Sequence, residues 1–152
     1  MKILIVEDDE EKAHDLTRFI QENYISSEIS IAKSFQSGLR AVFAGNIDLI
    51  LLDMTMRNYD RSVEEDGGRP HHFAGREILR QMAREEALIP VIVVTHFDRF
   101  GEETEEVTLI ELKGELKKRF PHYLGTVHYR SNVDDWKLQL TELISAHLPE
   151  YL

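Results

Sequence analysis

The amino-acid sequence predicts a three-layer α/β fold built on a doubly wound, five-stranded parallel sheet. Short apolar segments alternate with segments of helical periodicity five times along the 152 residues. Three of the apolar segments, Ile3–Val6, Leu49–Leu52 and Val91–Val94, are uninterrupted, which is typical of strands buried on both faces. The length suits one hydrophobic core, so we expect a single domain over residues 1–152.

The strands are predicted from short runs rich in Ile, Val and Leu. In chain order they cover Lys2–Val6, Glu28–Ala32, Asp48–Leu52, Val91–Thr95 and Gly125–Tyr129. The second strand alternates, and the fifth has the weakest pattern.

The helices are predicted from apolar residues at helical spacing and from capping residues. The first continues to about Tyr24, the second begins after a Ser34 cap and ends at Gly45-Asn46, and the third carries Ile78, Leu79 and Met82. Residues 98–120 are expected to form one or two helices, and a last helix with Trp136 and Leu140 is expected to be capped near Ser131 or Asn132. Residues 57–74 lack periodicity and carry Gly and Pro, which indicates a long loop before the third helix.

The composition excludes several classes of function. The formal net charge of −10 disfavours direct binding to nucleic acid, since an acidic surface repels phosphates. The absence of cysteine excludes disulfides, thiolate metal sites and cysteine nucleophiles. The apolar runs are too short to span a membrane, and a strand begins at once, which leaves no room for a signal peptide. We therefore expect a cytoplasmic protein that does not interact with a membrane.

Charged and hydroxyl residues follow the predicted strands where each strand ends. Glu7, Asp8 and Asp9 follow the first strand, Asp53 follows the third, and Thr95 ends the fourth. Functional groups in open parallel sheets gather at the carboxyl ends of the strands. Carboxylates placed there can share a hard cation such as Mg²⁺, and one of them can act as a nucleophile toward phosphorus.

These residues resemble the response-regulator receiver domain of two-component signalling. The matching segments are Ile3–Asp8, Asp48–Met56, Ile89–Thr95 and the helix after the second strand, in that order along essentially the whole chain. The resemblance implies a flavodoxin-like sheet with strand order 2-1-3-4-5 and a signalling role through protein contacts, with at most slow self-phosphorylation and self-dephosphorylation.

The resemblance also implies a role for each matching residue. Asp53 would accept the phosphoryl group, and Thr95 would be the switch hydroxyl. Glu7, Asp8, Asp53 and the backbone carbonyl of Thr55 would bind Mg²⁺, with Asp9 a bystander at the rim. The phosphoryl donor would be a histidine kinase or a phosphotransfer protein, and the output would be a downstream protein target.

The chain departs from the family pattern in five places. Arg57 replaces a usual proline, His96 replaces a usual small residue, and the segments 57–74 and 98–120 are enlarged. The last departure concerns the lysine that the family places at the end of the fifth strand. Here Tyr129 or Arg130 occupies that place, which makes Arg130 a candidate replacement with a different geometry.

These departures leave an alternative function open, a pseudo-receiver that binds a protein partner independently of phosphorylation. A small phosphohydrolase with an aspartate nucleophile is less favoured. The pattern of such enzymes has a second acid two residues after the nucleophile, and Thr55 occupies that place here. A nucleotide switch is also less favoured, since the sequence contains no phosphate-binding G-x-x-x-x-G-K-[ST] loop.

Overall fold

A computed structural model describes residues 1–62, 67–68 and 70–151 of the chain. Its main sheet has five parallel strands in the spatial order β2-β1-β3-β4-β5, which confirms the predicted fold class and strand order. The strands are β1 (Lys2–Val6), β2 (Glu28–Ala32), β3 (Leu49–Leu52), β4 (Val91–Thr95) and β5 (Tyr123–His128). β1 and β3 lie side by side at the centre, so their carboxyl ends are adjacent.

Five helices cover the two faces of the sheet. They are α1 (Glu10–Asn23), α2 (Phe35–Ala44), α3 (Ala74–Arg84), α4 (Leu109–Arg119) and α5 (Asp135–His147). Short 3₁₀ helices occupy Glu103–Glu105 and Pro149–Tyr151. Buried side chains of α2, α3 and α4 pack with one face of the sheet, and those of α1 and α5 pack with the other. The central strands are thus buried from both sides, which explains their uninterrupted apolar sequences.

The ends of α1 and α2 follow from local side-chain chemistry. Asp9 caps α1 by accepting a hydrogen bond from the backbone N–H of Lys12. Ser34 caps α2 as predicted, in a reciprocal pair with Ser37. Gly45 and Asn46 then adopt positive φ angles of 83° and 67°, so the predicted helix stop is also observed.

The segment before α3 contains a small antiparallel pairing that was not predicted. Met56–Arg57 pairs with Pro70–His71, and this ribbon folds back over the end of β3. The long loop expected over 57–74 is therefore partly structured. Residues 63–66 and 69 of that segment lie outside the described residues.

The segment 98–120, expected to form one or two helices, contains α4 in its second half, but two short strands flank a 3₁₀ helix in its first half. Arg99–Phe100 pairs with Val107–Thr108 as a second antiparallel ribbon, and α4 begins only at Leu109. Phe100 is buried against the core while Gly101 has a φ angle of 92°, a turn conformation that a continuous helix cannot contain. The glutamates between these two strands supply charge but no apolar face for a helix.

The expected cap of the last helix was also wrong. α5 begins at Asp135, after a turn in which the backbone N–H of Val133 bonds to the carbonyl of Arg130. Ser131 and Asn132 lie within that turn and therefore precede the helix. β5 begins two residues earlier than predicted, at Tyr123.

None of the helices within the described ranges has both the length and the apolar character needed to cross a membrane.

Gly75 allows α3 to approach the chain that follows β3. A Cβ at this position would lie 2.5 Å from the backbone oxygen of Asp53 and 3.0 Å from the Cα of Met54. The backbone N–H of Gly75 also donates to the Met54 carbonyl. The absence of a side chain at Gly75 thus sets the position of the loop that carries Asp53.

We expect Gly75→Ala to lower the free energy of unfolding by about 1–3 kcal/mol, because rigid backbone atoms must move to admit the methyl group. Gly114→Ala is the matched control, since Gly114 lies inside α4 with no atom near its would-be Cβ. The control should raise the free energy of unfolding by roughly 0.5–1 kcal/mol. Urea denaturation of both variants measures the difference, and equal stability of the two would contradict the tight approach at Gly75.

Candidate functional site

Three carboxylates converge at the carboxyl ends of β1 and β3. Glu7 and Asp8 directly follow β1, and Asp53 directly follows β3. One carboxylate oxygen from each of the three residues lies within 4.8 Å of the others. The backbone N–H of Asp53 donates to the carbonyl of Val6, which fixes the register between the two strand ends.

The three carboxylates differ in burial. Glu7 and Asp53 are each only 2% exposed, whereas Asp8 is half-buried and borders an open cleft of about 900 Å³. Asp53 and Thr55 also line this cleft, so a ligand can approach the acids from solvent.

Burial and the proximity of Asp53 raise the pKa values of the other two acids. Burial, followed by repulsion from Asp53, raises the pKa of Glu7 to about 9. The same two causes raise the pKa of Asp8. The site therefore favours a species that supplies positive charge, either a proton or a cation.

Lys12 supplies one such charge from the first turn of α1. Its side chain is 1% exposed, and its Nζ lies 2.5 Å from Oε1 of Glu7 and 3.2 Å from Oδ1 of Asp53. Burial alone would lower the pKa of Lys12, but attraction to Asp53 and Glu7 outweighs burial and raises it. Lys12 is therefore a buried ammonium paired with two of the three acids.

Sequence reasoning missed Lys12 as part of the site. The signal was its spacing, because Lys12 lies four residues before Leu16 and eight before Ile20, both on the buried face of α1. A lysine on an otherwise apolar helix face is rarely buried unless it has a charged partner.

Asp8 is held by Arg57 at the edge of the cleft. Oδ2 of Asp8 accepts hydrogen bonds from the backbone N–H of Arg57, at 3.1 Å, and from its guanidinium Nη1, at 3.2 Å. Arg57 belongs to the small ribbon before α3, so the enlarged segment contacts the acidic cluster directly.

Thr95 lies at the end of β4, beside the cluster. Its side chain is fully buried, and its Oγ1 accepts a long hydrogen bond of 3.3 Å from the backbone N–H of Phe97. The adjacent His96 is exposed and lines the cleft, with its ring centroid 4.0 Å from that of Phe97.

Other predicted residues lie at the margin of the site. Thr55 donates its hydroxyl hydrogen to the carbonyl of His72, which ties the loop after β3 to the start of α3. Asp9 is occupied as the cap of α1.

Arg130 is exposed beside a smaller recess that Lys12 and His96 also line. Tyr129 is buried, and its hydroxyl donates to Oδ2 of Asp15 at 2.5 Å.

This arrangement can perform two kinds of chemistry. Clustered carboxylate oxygens at a cleft suit a hard divalent cation that keeps some of its water ligands. A carboxylate such as Asp53, aligned beside a cation, can attack phosphorus once the charge on the phosphoryl oxygens is neutralised.

Comparisons with known proteins agree with this fold. The family model for the response regulator receiver domain matches residues 3–123. An uncharacterized protein, y4jR, of Sinorhizobium fredii is 35% identical over 140 residues, covering 90% of this chain and 92% of that protein. The Detocs response regulatory protein DtcB of Enterobacter cloacae is 34% identical over 148 residues, covering 95% of this chain and 99% of that protein.

A solved structure shows the same architecture. The response regulator TrrA of Thermotoga maritima, in complex with Mg²⁺ and BeF, aligns with a TM-score of 0.59 and 19% identity, over 93% of this chain and 97% of that one. At this level of identity the likeness supports the fold alone. The family match and the two relatives lead to one conclusion: the chain belongs to the response regulator receiver domain family, the signalling modules of two-component systems.

Proposed function

We propose that this receiver domain takes a phosphoryl group on Asp53 with the help of Mg²⁺ and signals through protein contacts. The observation that carries the proposal is the convergence of Glu7, Asp8 and Asp53, of which Asp8 and Asp53 line the cleft. The proposed phosphoryl donor is a histidine kinase or a phosphotransfer protein, and the proposed receiver of the signal is a protein target.

The residues at the cleft fit Mg²⁺ by their chemistry. All three acidic side chains offer oxygen ligands, which are the ligands that a hard divalent cation prefers. Glu7, Asp8, Asp53 and the backbone carbonyl of Thr55 would hold the ion. A bound Mg²⁺ would neutralise the phosphoryl oxygens and so favour attack by an anionic carboxylate.

The hydrogen bonds of Asp53 suggest which of its oxygens reacts. Among the described residues, the backbone N–H of Met54 and the ammonium of Lys12 both contact Oδ1, at 2.8 Å and 3.2 Å. Oδ2 would then attack phosphorus. A P–O bond to Asp53 forms while the bond from phosphorus to the donor's histidine nitrogen breaks, and that nitrogen keeps the electron pair. Thr95, at the adjacent strand end, would hydrogen-bond the transferred group.

We expect incubation with acetyl phosphate and Mg²⁺ to add one phosphoryl group, detected by intact mass. Asp53→Asn should abolish the adduct, because the amide is not a competent nucleophile. Asp60→Asn is the matched control, since Asp60 is an exposed acid in the same cleft, and it should label like the unaltered chain. Chelation of Mg²⁺ should suppress labelling of both the unaltered chain and Asp60→Asn.

Failure of the unaltered chain to label, or labelling that survives in Asp53→Asn, would contradict the proposal. The first result would favour the alternative function, a pseudo-receiver whose partner binds independently of phosphorylation. The contact between Arg57 and Asp8 is the observation that favours this alternative, because it engages one of the two Asp8 carboxylate oxygens with a positive charge that competes with Mg²⁺.

Replacement of Arg57 measures how strongly that contact opposes the metal. Arg57→Ala should tighten Mg²⁺ binding by roughly fivefold, since a partly exposed ion pair contributes about 1 kcal/mol. Arg61→Ala is the matched control, because Arg61 is an exposed arginine lining the same cleft, and it removes the same charge. Calorimetric titration with Mg²⁺ compares the two variants. An equal gain in both would show that general charge, and not the bond to Asp8, limits metal binding.

A further inference from the structure

The ammonium of Lys12 has a complete set of partners in the buried part of the site. An ammonium can donate three hydrogen bonds, and three oxygens surround this one: Oε1 of Glu7, Oδ1 of Asp53 and the backbone carbonyl of Val94. The last of these bonds is 2.6 Å long. Buried charges are normally paired, and the pairing here joins an acid from each of two strand ends to the backbone of a third strand.

The backbone of α1 fixes where this ammonium lies. Asp9 caps the helix through the N–H of Lys12, so the rotation of the first turn is set at the residue that carries the charge. The apolar residues that follow, Leu16 and Ile20, anchor the same face against the sheet. The position of the ammonium is therefore a property of the folded helix and not of a flexible surface side chain.

The position of Lys12 relative to Asp53 gives it a direct relation to a phosphoryl group. Its Nζ already contacts one carboxylate oxygen of the residue that would be phosphorylated. A phosphoryl group on Asp53 adds anionic oxygens next to that contact, and charge-assisted hydrogen bonds to such oxygens are strong. One donor of Lys12 can turn from a carboxylate to a phosphoryl oxygen without leaving the pocket.

The third partner of Lys12 connects this event to β4. Val94 directly precedes Thr95, and its carbonyl accepts from the same ammonium that contacts Asp53. A change in how Lys12 distributes its contacts among these three oxygens would therefore act on the backbone next to Thr95. The exposed His96 and Phe97 follow immediately, so the connection continues to the surface at the edge of the cleft.

Arg130 occupies a different position. It is exposed and follows the end of β5. Its backbone carbonyl accepts a hydrogen bond from the N–H of Val133 in the turn before α5. It shares a recess with Lys12 and His96, but it is exposed whereas Lys12 is buried.

We propose that Lys12, from the first turn of α1, is the cation that binds the phosphoryl group on Asp53 and transmits its presence to β4 through the carbonyl of Val94. The proposal rests on the proposed function of Asp53 as the phosphoryl acceptor. Receiver domains usually bind the phosphoryl group with a lysine at the end of the fifth strand, where this chain has Tyr129 and Arg130. The proposal assigns that role to Lys12.

The test compares Lys12→Met with Arg130→Ala, in the full chain. Methionine keeps much of the length of the lysine side chain and removes its charge. We expect Lys12→Met to slow labelling by acetyl phosphate roughly tenfold. This rate loss is smaller than the loss on removing a donor from an oxyanion hole, because Mg²⁺ still neutralises part of the phosphoryl charge. Arg130→Ala should label at the rate of the unaltered chain. Lys12→Arg should recover part of the lost rate, since it restores a positive charge with altered geometry.

A second readout separates phosphoryl binding and transmission from a purely structural role. Backbone amide NMR shifts of Val94, Thr95 and His96 are recorded with Mg²⁺ before and after addition of beryllofluoride. The unaltered chain and Arg130→Ala should show the same shift changes. Lys12→Met should bind the mimic more weakly and lose the changes at these three residues even when saturated. Normal labelling and normal shift changes in a folded Lys12→Met protein would overturn the proposal.

Lys12→Met removes the partner of two buried acids, so its folding must be checked by thermal unfolding. If this variant does not fold, a crystal structure of the unaltered chain with Mg²⁺ and beryllofluoride decides the question. Contact between a fluoride and Nζ of Lys12 supports the proposal, and contact with Arg130 in its place overturns it. Absence of both labelling and beryllofluoride binding in the unaltered chain would instead contradict the proposed function of Asp53.

Discussion

The site depends on one electrostatic constraint: carboxylates that the sheet brings together must be neutralised where water is scarce. Adjacent parallel strands place Glu7 and Asp53 side by side, and both are almost fully buried. Two like charges in a low-dielectric environment repel strongly, and Lys12 offsets that repulsion. Burial, and after it repulsion from Asp53, nevertheless raises the pKa of Glu7 to about 9, so Lys12 does not fully offset these two effects. The half-buried Asp8 is the acid of the cluster that is most open to the cleft.

Much of the fold could be predicted because its signals are local. The three central strands are continuous apolar runs, and residues such as Ser34 and Gly45 mark the ends of α2 by their own conformational preferences. The convergence of the acids also followed, since the carboxyl ends of parallel strands meet at one edge of the sheet.

The remaining features depend on contacts between distant residues. The ribbon formed by Met56–Arg57 and Pro70–His71 is too short to produce a sequence pattern, and its link to Asp8 is visible only in three dimensions. Lys12 was missed because a lysine side chain is normally expected to be exposed to solvent, whereas its position on α1 places it on the face that packs against the core. The conflict between residue type and position was itself the signal, since such conflicts concentrate at functional sites.

The cap of α1 has a consequence for how this cluster of charge assembles. Glu7, Asp9 and Lys12 lie within six consecutive residues, so the ammonium and its first carboxylate meet through one turn of backbone. Closing so short a loop costs little chain entropy compared with recruiting a cation from the far edge of the sheet. Of the three partners of Lys12, Glu7 is consequently supplied by the same hexapeptide, and only Asp53 and Val94 come from distant parts of the chain.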